Sequence, residues 1–346
     1  MSASAAPPIQ HAIRQLAMGS SLTEAESRAA FGAVMQGEAT PAQVAALLVG
    51  LRVKGETPEE VAGAADAMRG AMVRLPAIDS DDLVDTCGTG GGAVGTFNIS
   101  TAAALLAAGL GVRIAKHGNR SFTSQCGSAD VLEALGVAVE VSVEVMAHAL
   151  RDAGIVFMYA PLMHPAMRHV GPVRRELGIP TVMNIVGPLA NPASAGRQVV
   201  GVADAKRVPL IAGALRALGT IHALVVHGEP GMDEISPLGV TRVVEIRDGR
   251  AREWTIDPAE YGFPPGDAAE LAGGPPFQNA AAVSAVLDGS APPTAVAAVI
   301  LNAAAALYVS AGGPTDYGDA ISAARTGLRD GAGLAALERL RRAHQA

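Results

Sequence analysis

The residues able to do chemistry gather in four stretches. The first is "VDTCGTGGGAVGTFNIST", residues 84–101, in which an acid ends an apolar run and four glycines fall within five positions, 88–92. Glycines at a strand end let the backbone approach an anion and aim N–H groups at it, and the next helix N-terminus adds partial positive charge. Ser100 and Thr101 would either cap that helix or offer hydroxyls to phosphate. A tight turn between strand and helix is the plain alternative. Two familiar phosphate loops do not fit. The dinucleotide pattern matches loosely at Gly88, Gly90 and Ala93, but it wants an acid about 20 residues on, and "AAGLGVRIAK" carries none. The nucleoside-triphosphate loop needs Gly-Lys-Ser/Thr at its end. Here the corresponding residues are Gly95-Thr96.

The second stretch is "KHGNRSFTSQCGSADVLEALGV", residues 116–137. Lys116 and Arg120 bracket His117, Gly118 and Asn119, and Ser121, Thr123 and Ser124 add hydroxyls, which makes a second anion cradle. Ser128 and Asp130 open the next helix, where capping and ligand contact are equally good readings. The third, "MHPAMRHVGPVRRELGIPTVMNIVGPLANP", sets His164, Arg168, Arg174 and Arg175 in an apolar region. Arginine forks suit carboxylates; Arg168 reads as a surface cation, and Arg174 and Arg175 are left open. The fourth, "HGEPGMDEISPLG", places Asp233 and Glu234 together just after a strand. Adjacent carboxylates near phosphate sites suit Mg²⁺, which binds through one or two carboxylates plus substrate phosphates.

The elements that must position these stretches fall into two textures. Residues up to about 75 show apolar spacings of three and four, with Thr40-Pro41 and Thr57-Pro58 as helix starts. After Pro76, "DLVDTCG", "VRIAKHG", "IVFMYA", "QVVGVAD" and "HALVVHG" read as strands alternating with helices, which implies a parallel sheet with helices on its faces. "TRVVEIRDGRAREWTID" adds two strands around Asp248-Gly249. The expected fold is α/β: a small, mainly N-terminal helical domain over 1–75, joined by a helical segment near 165–180, and a larger α/β domain over 76–346 with a mostly parallel central sheet. The longest apolar run, near 295–309, is too short to span a bilayer and is interrupted by Asn302, so it is expected to be a buried helix.

Composition narrows the function. The 346 residues carry a net charge of −7 and 3% aromatics. Neither fits a basic nucleic-acid surface or a base-stacking platform. Cys87 and Cys126 lie outside any metal spacing, and the opening "MSASAAPPIQ" shows no secretory signal, so a reduced, cytoplasmic setting without a membrane is expected.

The four stretches in this order resemble the anthranilate phosphoribosyltransferases of tryptophan biosynthesis, on "GTGG…TFNIST", "KHGNRS…GSADVLEALG", "HP…VRRELG…N…GPLANP" and "DEISPLG". The resemblance spans nearly the whole chain. It implies a homodimer whose helical domain is hinged to the α/β domain, with phosphoribosyl pyrophosphate and two Mg²⁺ ions per subunit along the sheet edge and anthranilate between the domains. It places Gly88, Gly91, Gly92, Thr96, Asn98, Ile99, Ser100, Thr101, Lys116, His117, Gly118, Asn119, Arg120, Ser121, Phe122, Thr123, Ser124 and Ser128 around the phosphoribosyl donor. Ser100, Asp233 and Glu234 would hold Mg²⁺; Gly88, Asn119 and Arg174 would meet anthranilate, beside His117 and His164. The family usually reads GTGGD where this chain has Gly92, and often lysine and serine at Gln125 and Cys126, which implies the same activity with altered donor or metal affinity. A pyrimidine nucleoside phosphorylase shares the architecture but differs at "KHGNRS" and "GPLANP". A non-catalytic polyanion-binding relative is disfavoured by the acidic balance and the retained acid pair.

Overall fold

The computed structural model describes residues 7–76, 79–121 and 125–344. Four helices open the chain: α1 (Pro8–Ala17), α2 (Glu24–Met35), α3 (Pro41–Lys54) and α4 (Pro58–Ala71). The starts of the last three are written into the sequence. Thr23, Thr40 and Thr57 each cap a helix reciprocally with Glu26, Gln43 and Glu60, which satisfies donors that a helix N-terminus otherwise leaves orphaned. Glu60 is fully buried and also accepts from Leu22 N–H and Lys54 Nζ, at 2.8 and 2.9 Å.

The body runs β1 (Val84–Gly88), α5 (Ile99–Gly109), β2 (Ile114–Gly118), α6 (Ser128–Ala134), α7 (Val143–Asp152), β3 (Ile155–Tyr159), α8 (Ala160–Met163), α9 (Gly171–Leu177), α10 (Met183–Val186), β4 (Arg197–Gly201), α11 (Val208–Ala217) and β5 (His222–Gly228). The hairpin β6 (Thr241–Arg247) and β7 (Arg250–Ile256) follows, then α12 (Pro276–Leu287), α13 (Pro293–Val309), α14 (Tyr317–Arg329) and α15 (Ala332–Ala343). The strands form one sheet in the order β3-β2-β1-β4-β5-β6-β7, parallel through β5 and antiparallel at its last two pairings.

Side chains alternate across this sheet, as the two-residue strand period requires. Val199, Leu224, Val226 and Val243 pack under α5 and the C-terminal helices. Val200, Ala223, Val225 and Val244 face a second core shared by α1–α4, α11 and residues of 170–190. The segment near 165–180 is a short 3-10 turn, Pro165–His169, followed by α9, and it sends Val170 and Val173 into that second core. Arg69 of α4 also donates to the carbonyl of Leu189, 2.8 Å away. No helix among the described residues is long and apolar enough to cross a membrane.

The strand order decides where a ligand fits. From β1 the chain winds outward to β2 and β3, then returns to place β4 on the other side of β1. Loops leaving the carboxyl ends of β1 and β4 therefore diverge, and the crevice between them is the expected ligand position in an open parallel sheet. Gly88 and Gly201 are paired across this switch point.

Candidate active site

The acid pair, 143 residues beyond the glycine loop, is brought against it. Gly90 N–H donates to Asp233 Oδ2 at 2.8 Å, and Ala93 N–H to the Gly231 carbonyl at 2.8 Å. Thr96 Oγ1 donates to Glu234 Oε1 at 3.4 Å. The four glycines are not alike. Gly90 and Gly91 have φ of +69° and +80°, the left-handed region that favours glycine. Gly88 is small for another reason: a Cβ would stand 2.5 Å from Asp233 Oδ2, whereas at Gly92 it would stand 3.2 Å from Asp233 Oδ1, a contact that a slight shift relieves. The loop thus receives a carboxylate from the segment after β5 as well as being shaped to receive an anion.

Burial sets the electrostatics. Desolvation raises the pKa of Asp233, and desolvation together with the Asp233 charge pushes that of Glu234 well above the ordinary range. Two carboxylates forced together out of water want a cation. Among the described residues no cluster of three or more His, Cys, Asp or Glu forms a metal cage. The donor set is two carboxylates with the Ser100 and Thr96 hydroxyls nearby, all hard oxygens and too few to complete a shell alone. This fits Mg²⁺, which takes its remaining ligands from phosphates and water.

Lys116 lies beneath the loop rather than in it. It is 3% exposed and donates to the Thr86 carbonyl and to Ser100 Oγ, at 2.5 and 3.3 Å. Desolvation lowers its pKa, and the nearby Asp85 charge opposes that. Asp85 is itself buried and pushed up to about 6. It accepts from Asn191 Nδ2 at 2.8 Å and from His117 N–H at 3.2 Å, tying the first three stretches together.

The second cradle differs from its sequence reading at Arg120. Its guanidinium is committed to Asp130, Glu133, Glu140 and the Tyr159 hydroxyl, so among the described contacts it serves carboxylates. Asp130 acts as a cap, accepting from Gly127 and Ser121 N–H groups at 2.8 and 3.1 Å. Ser128 donates to the Asn119 carbonyl at 3.3 Å. A Cβ on Gly118 would lie 2.2 Å from Ser128 Oγ, which explains glycine there. Asn98, the N-cap of α5, makes no side-chain cap bond; its amide donates instead to the Cys126 carbonyl. Ile99 and Thr101 are buried, so of this run Ser100 is the residue facing the acids. Phe122, Thr123 and Ser124 lie outside the described residues. Cys126 is buried and its thiol pushed up to about 11, chiefly by desolvation, so it stays protonated at neutral pH.

His117 and His164 meet with ring centroids 4.9 Å apart. Burial lowers both, His117 to about 3 and His164 to about 4, so they present neutral aromatic walls at pH 7. Arg174 and Arg175 differ in exposure. Arg175 is exposed, whereas Arg174 is half-buried, with its pKa lowered by desolvation and no ion-pair or hydrogen-bond partner among the described residues. Arg168 is exposed, as a surface cation would be. Sequence reasoning did not assign Asp85, Asn191, Asn279 or Asn302 to the site. The signal for Asn302 was a lone amide in an apolar run.

Two family models match the chain: a glycosyl transferase helical bundle domain over residues 10–72 and a glycosyl transferase a/b domain over 80–334. The anthranilate phosphoribosyltransferase of Anaeromyxobacter dehalogenans is 50% identical over 332 residues, covering 96% of this chain and 97% of that protein. The crystal structure of the Thermus thermophilus enzyme of that name has a TM-score of 0.90 at 42% identity, covering 97% of this chain and 99% of its own. The Saccharomyces cerevisiae enzyme in complex with PRPP and Mg has a TM-score of 0.86 at 26% identity, covering 97% and 98%. On this identity and coverage, the chain belongs to the anthranilate phosphoribosyltransferase family, enzymes that transfer a pentosyl group.

Proposed function

We propose that this enzyme transfers the 5-phosphoribosyl group of phosphoribosyl pyrophosphate to the amine of anthranilate, with Mg²⁺, as the second step of tryptophan synthesis from chorismate. The observation that carries this reading is the contact between Asp233-Glu234 and the glycine loop at the sheet's switch point. The reading extends to two Mg²⁺ ions per subunit, a cytoplasmic homodimer, and a helical domain over 1–75 that closes on 76–346.

In this reading the glycine loop, the N-terminus of α5 and the Asn119–Ser121 turn hold the donor's phosphates. Asp233, Glu234 and Ser100 would hold Mg²⁺, which when bound would supply charge neutralisation for the departing pyrophosphate. Lys116 contributes its charge from beneath, through Ser100 Oγ. Anthranilate lies along His117 and His164 with its carboxylate toward Arg174. The amine forms a bond to the anomeric carbon as the bond to pyrophosphate oxygen breaks, through a centre with oxocarbenium character. The aromatic amine is uncharged at pH 7 and attacks as it stands; the anilinium it forms is acidic and gives up its extra proton to the departing pyrophosphate or to water, so no strong base is required and none is assigned. Catalysis rests on positioning and on preorganised charge. The test is loss of anthranilate fluorescence with the donor and Mg²⁺, omitting each in turn. No loss with everything present, in folded protein, refutes the assignment.

Two substitutions probe its parts. Arg174→Gln removes the unpaired cation, so the KM for anthranilate should rise at least about tenfold, the worth of a charge-assisted hydrogen bond. Saturated turnover and the donor KM should barely move. An unchanged anthranilate KM excludes this arginine. Gly92→Asp restores the carboxylate the family usually carries. Position 92 lacks a positive φ, and its Cβ would need neighbours 3.2 Å away to shift slightly, so the side chain is tolerable. The new charge beside Asp233 should lower the melting temperature without metal and lower half-saturating Mg²⁺ about threefold, about 0.65 kcal/mol. Identical melting and Mg²⁺ curves would mean that the Gly92 departure has no electrostatic consequence.

A further inference from the structure

We propose that Asn302, on the helix α13 that packs over the sheet, is a positioning residue for the Asp233-Glu234 pair. This rests on the reading that the pair holds Mg²⁺. From Ala295 to Val309, α13 is apolar except for Asn302 and Tyr308, and Asn302 is 6% exposed. Its amide is fully used. Oδ1 accepts from Ile235 N–H at 3.0 Å, and Nδ2 donates to the Ile235 carbonyl and to the Ala298 carbonyl, both at 2.9 Å. Ile235 directly follows Glu234 and is fully buried. Asn302 therefore binds both backbone groups of the next residue, as a neighbouring strand would, where no strand is present. An apolar residue at 302 would leave a buried donor and a buried acceptor unpaired, and the loop would have to move to satisfy them.

The rest of the loop gives Asn302 its leverage. Upstream, Asp233 is fixed by Gly90 N–H; downstream, Ser236 N–H donates to Thr241 Oγ1 at 2.9 Å. Between these points Asn302 is the contact that sets the backbone at the acids. Asn302, Ser100, Asp233 and Glu234 also line one cavity of about 10 Å³. The helix that carries Asn302 packs on α5, which carries Ser100. One rigid helix thus supports both sources of metal-binding oxygen, and metal affinity commonly depends on such outer supports.

The experiment is a Mn²⁺ titration followed by electron paramagnetic resonance, with phosphoribosyl pyrophosphate present and no acceptor. Asn302→Ala should weaken Mn²⁺ about ten- to a hundredfold. In turnover assays half-saturating Mg²⁺ should rise while the KM for anthranilate stays put. Tyr317→Phe is the control: it deletes a buried bond to α13 at Leu301, 2.7 Å, without touching Ile235. Its Mn²⁺ affinity should stay within about twofold. Equal weakening in both variants would reduce the effect to a loosened helix and overturn the proposal. The Asp233→Asn, Glu234→Gln double variant separates the two readings. If it binds Mn²⁺ like the parent, the metal site is wrong; if it loses Mn²⁺ while Asn302→Ala keeps it, only the positioning role is wrong. Should Asn302→Ala not fold, hydrogen exchange on the unsubstituted protein decides. Ile235 N–H should be as protected as the amides of β5, and exchange at the rate of an unprotected, solvent-exposed amide overturns the proposal.

Discussion

Replacing Asp233 by Asn and Glu234 by Gln together should cut Mg²⁺-supported turnover about a thousandfold. A bound divalent cation supplies several kcal/mol of charge stabilisation, and each 1.36 kcal/mol is tenfold in rate. The fold should survive, because both side chains keep their shape and the Gly90 N–H keeps an acceptor. Removing the charges also relieves a cost. Both acids are raised, so folding binds protons that the unfolded chain would release. Stability from such groups is complete below the ordinary carboxylate pKa and drains away as pH climbs from there through the raised values. The metal-free parent should therefore melt progressively lower as pH rises across that window, and Mg²⁺ with donor should restore it. In the double variant this part of the pH dependence should flatten, and Mg²⁺ should no longer shift the melt. Melting curves against pH, with and without Mg²⁺, check the sign. A double variant with parental turnover, or one whose melt still responds to Mg²⁺, would remove the pair from the metal site.

The frame of this site was legible in the sequence because local rules govern it. Strand and helix alternation is a pattern of apolar spacing, and all seven strands lie where that spacing puts them. The Thr-Pro helix starts at Thr40 and Thr57 follow equally from local capping chemistry. The interior of the site was less legible because it depends on partners distant in the chain. The glycine loop reads as an anion cradle, yet Gly88 is small because Asp233 fills the space beside it. Arg120 reads as a phosphate cation beside glycine. Glu133 and Glu140 face it only after α6 and the turn beyond have folded back. Asn279 and Asn302 appear as blemishes in alanine-rich helices. Their partners, Asn98 and Ile235, come from other motifs, and the Asn279 amide donates to Asn98 Oδ1 at 2.8 Å. Such pairings carry no spacing signal, since only the topology brings them together.

Gly201→Ala should be the most damaging single methyl in the protein. Gly201 ends β4, opposite Gly88, and a Cβ there would fall 1.6 Å from the Asp233 carbonyl oxygen. No rotamer choice relieves a contact with backbone, so either the strand or the loop must move. The strand is the stiffer of the two. β4 is central, with parallel neighbours on both sides, and the Gly201 carbonyl accepts from Thr89 N–H at 2.9 Å. The loop carrying Asp233 and Glu234 should yield instead. Overpacking of this kind costs about 1–3 kcal/mol of stability. A shift of about 1 Å in a reacting constellation costs about a hundredfold in rate. Activity should thus fall further than stability: at least about a hundredfold in turnover at fixed Mg²⁺, partly recovered by excess Mg²⁺, in a protein that still melts cooperatively. Gly32→Ala on α2, where a Cβ meets nothing within 4 Å, should be neutral or slightly stabilising. If Gly201→Ala instead unfolds the sheet without a folded, metal-weakened form, β4 has yielded and the loop is the stiffer element. If both variants keep full activity, the approach of Asp233 to the end of β4 is not part of the working enzyme.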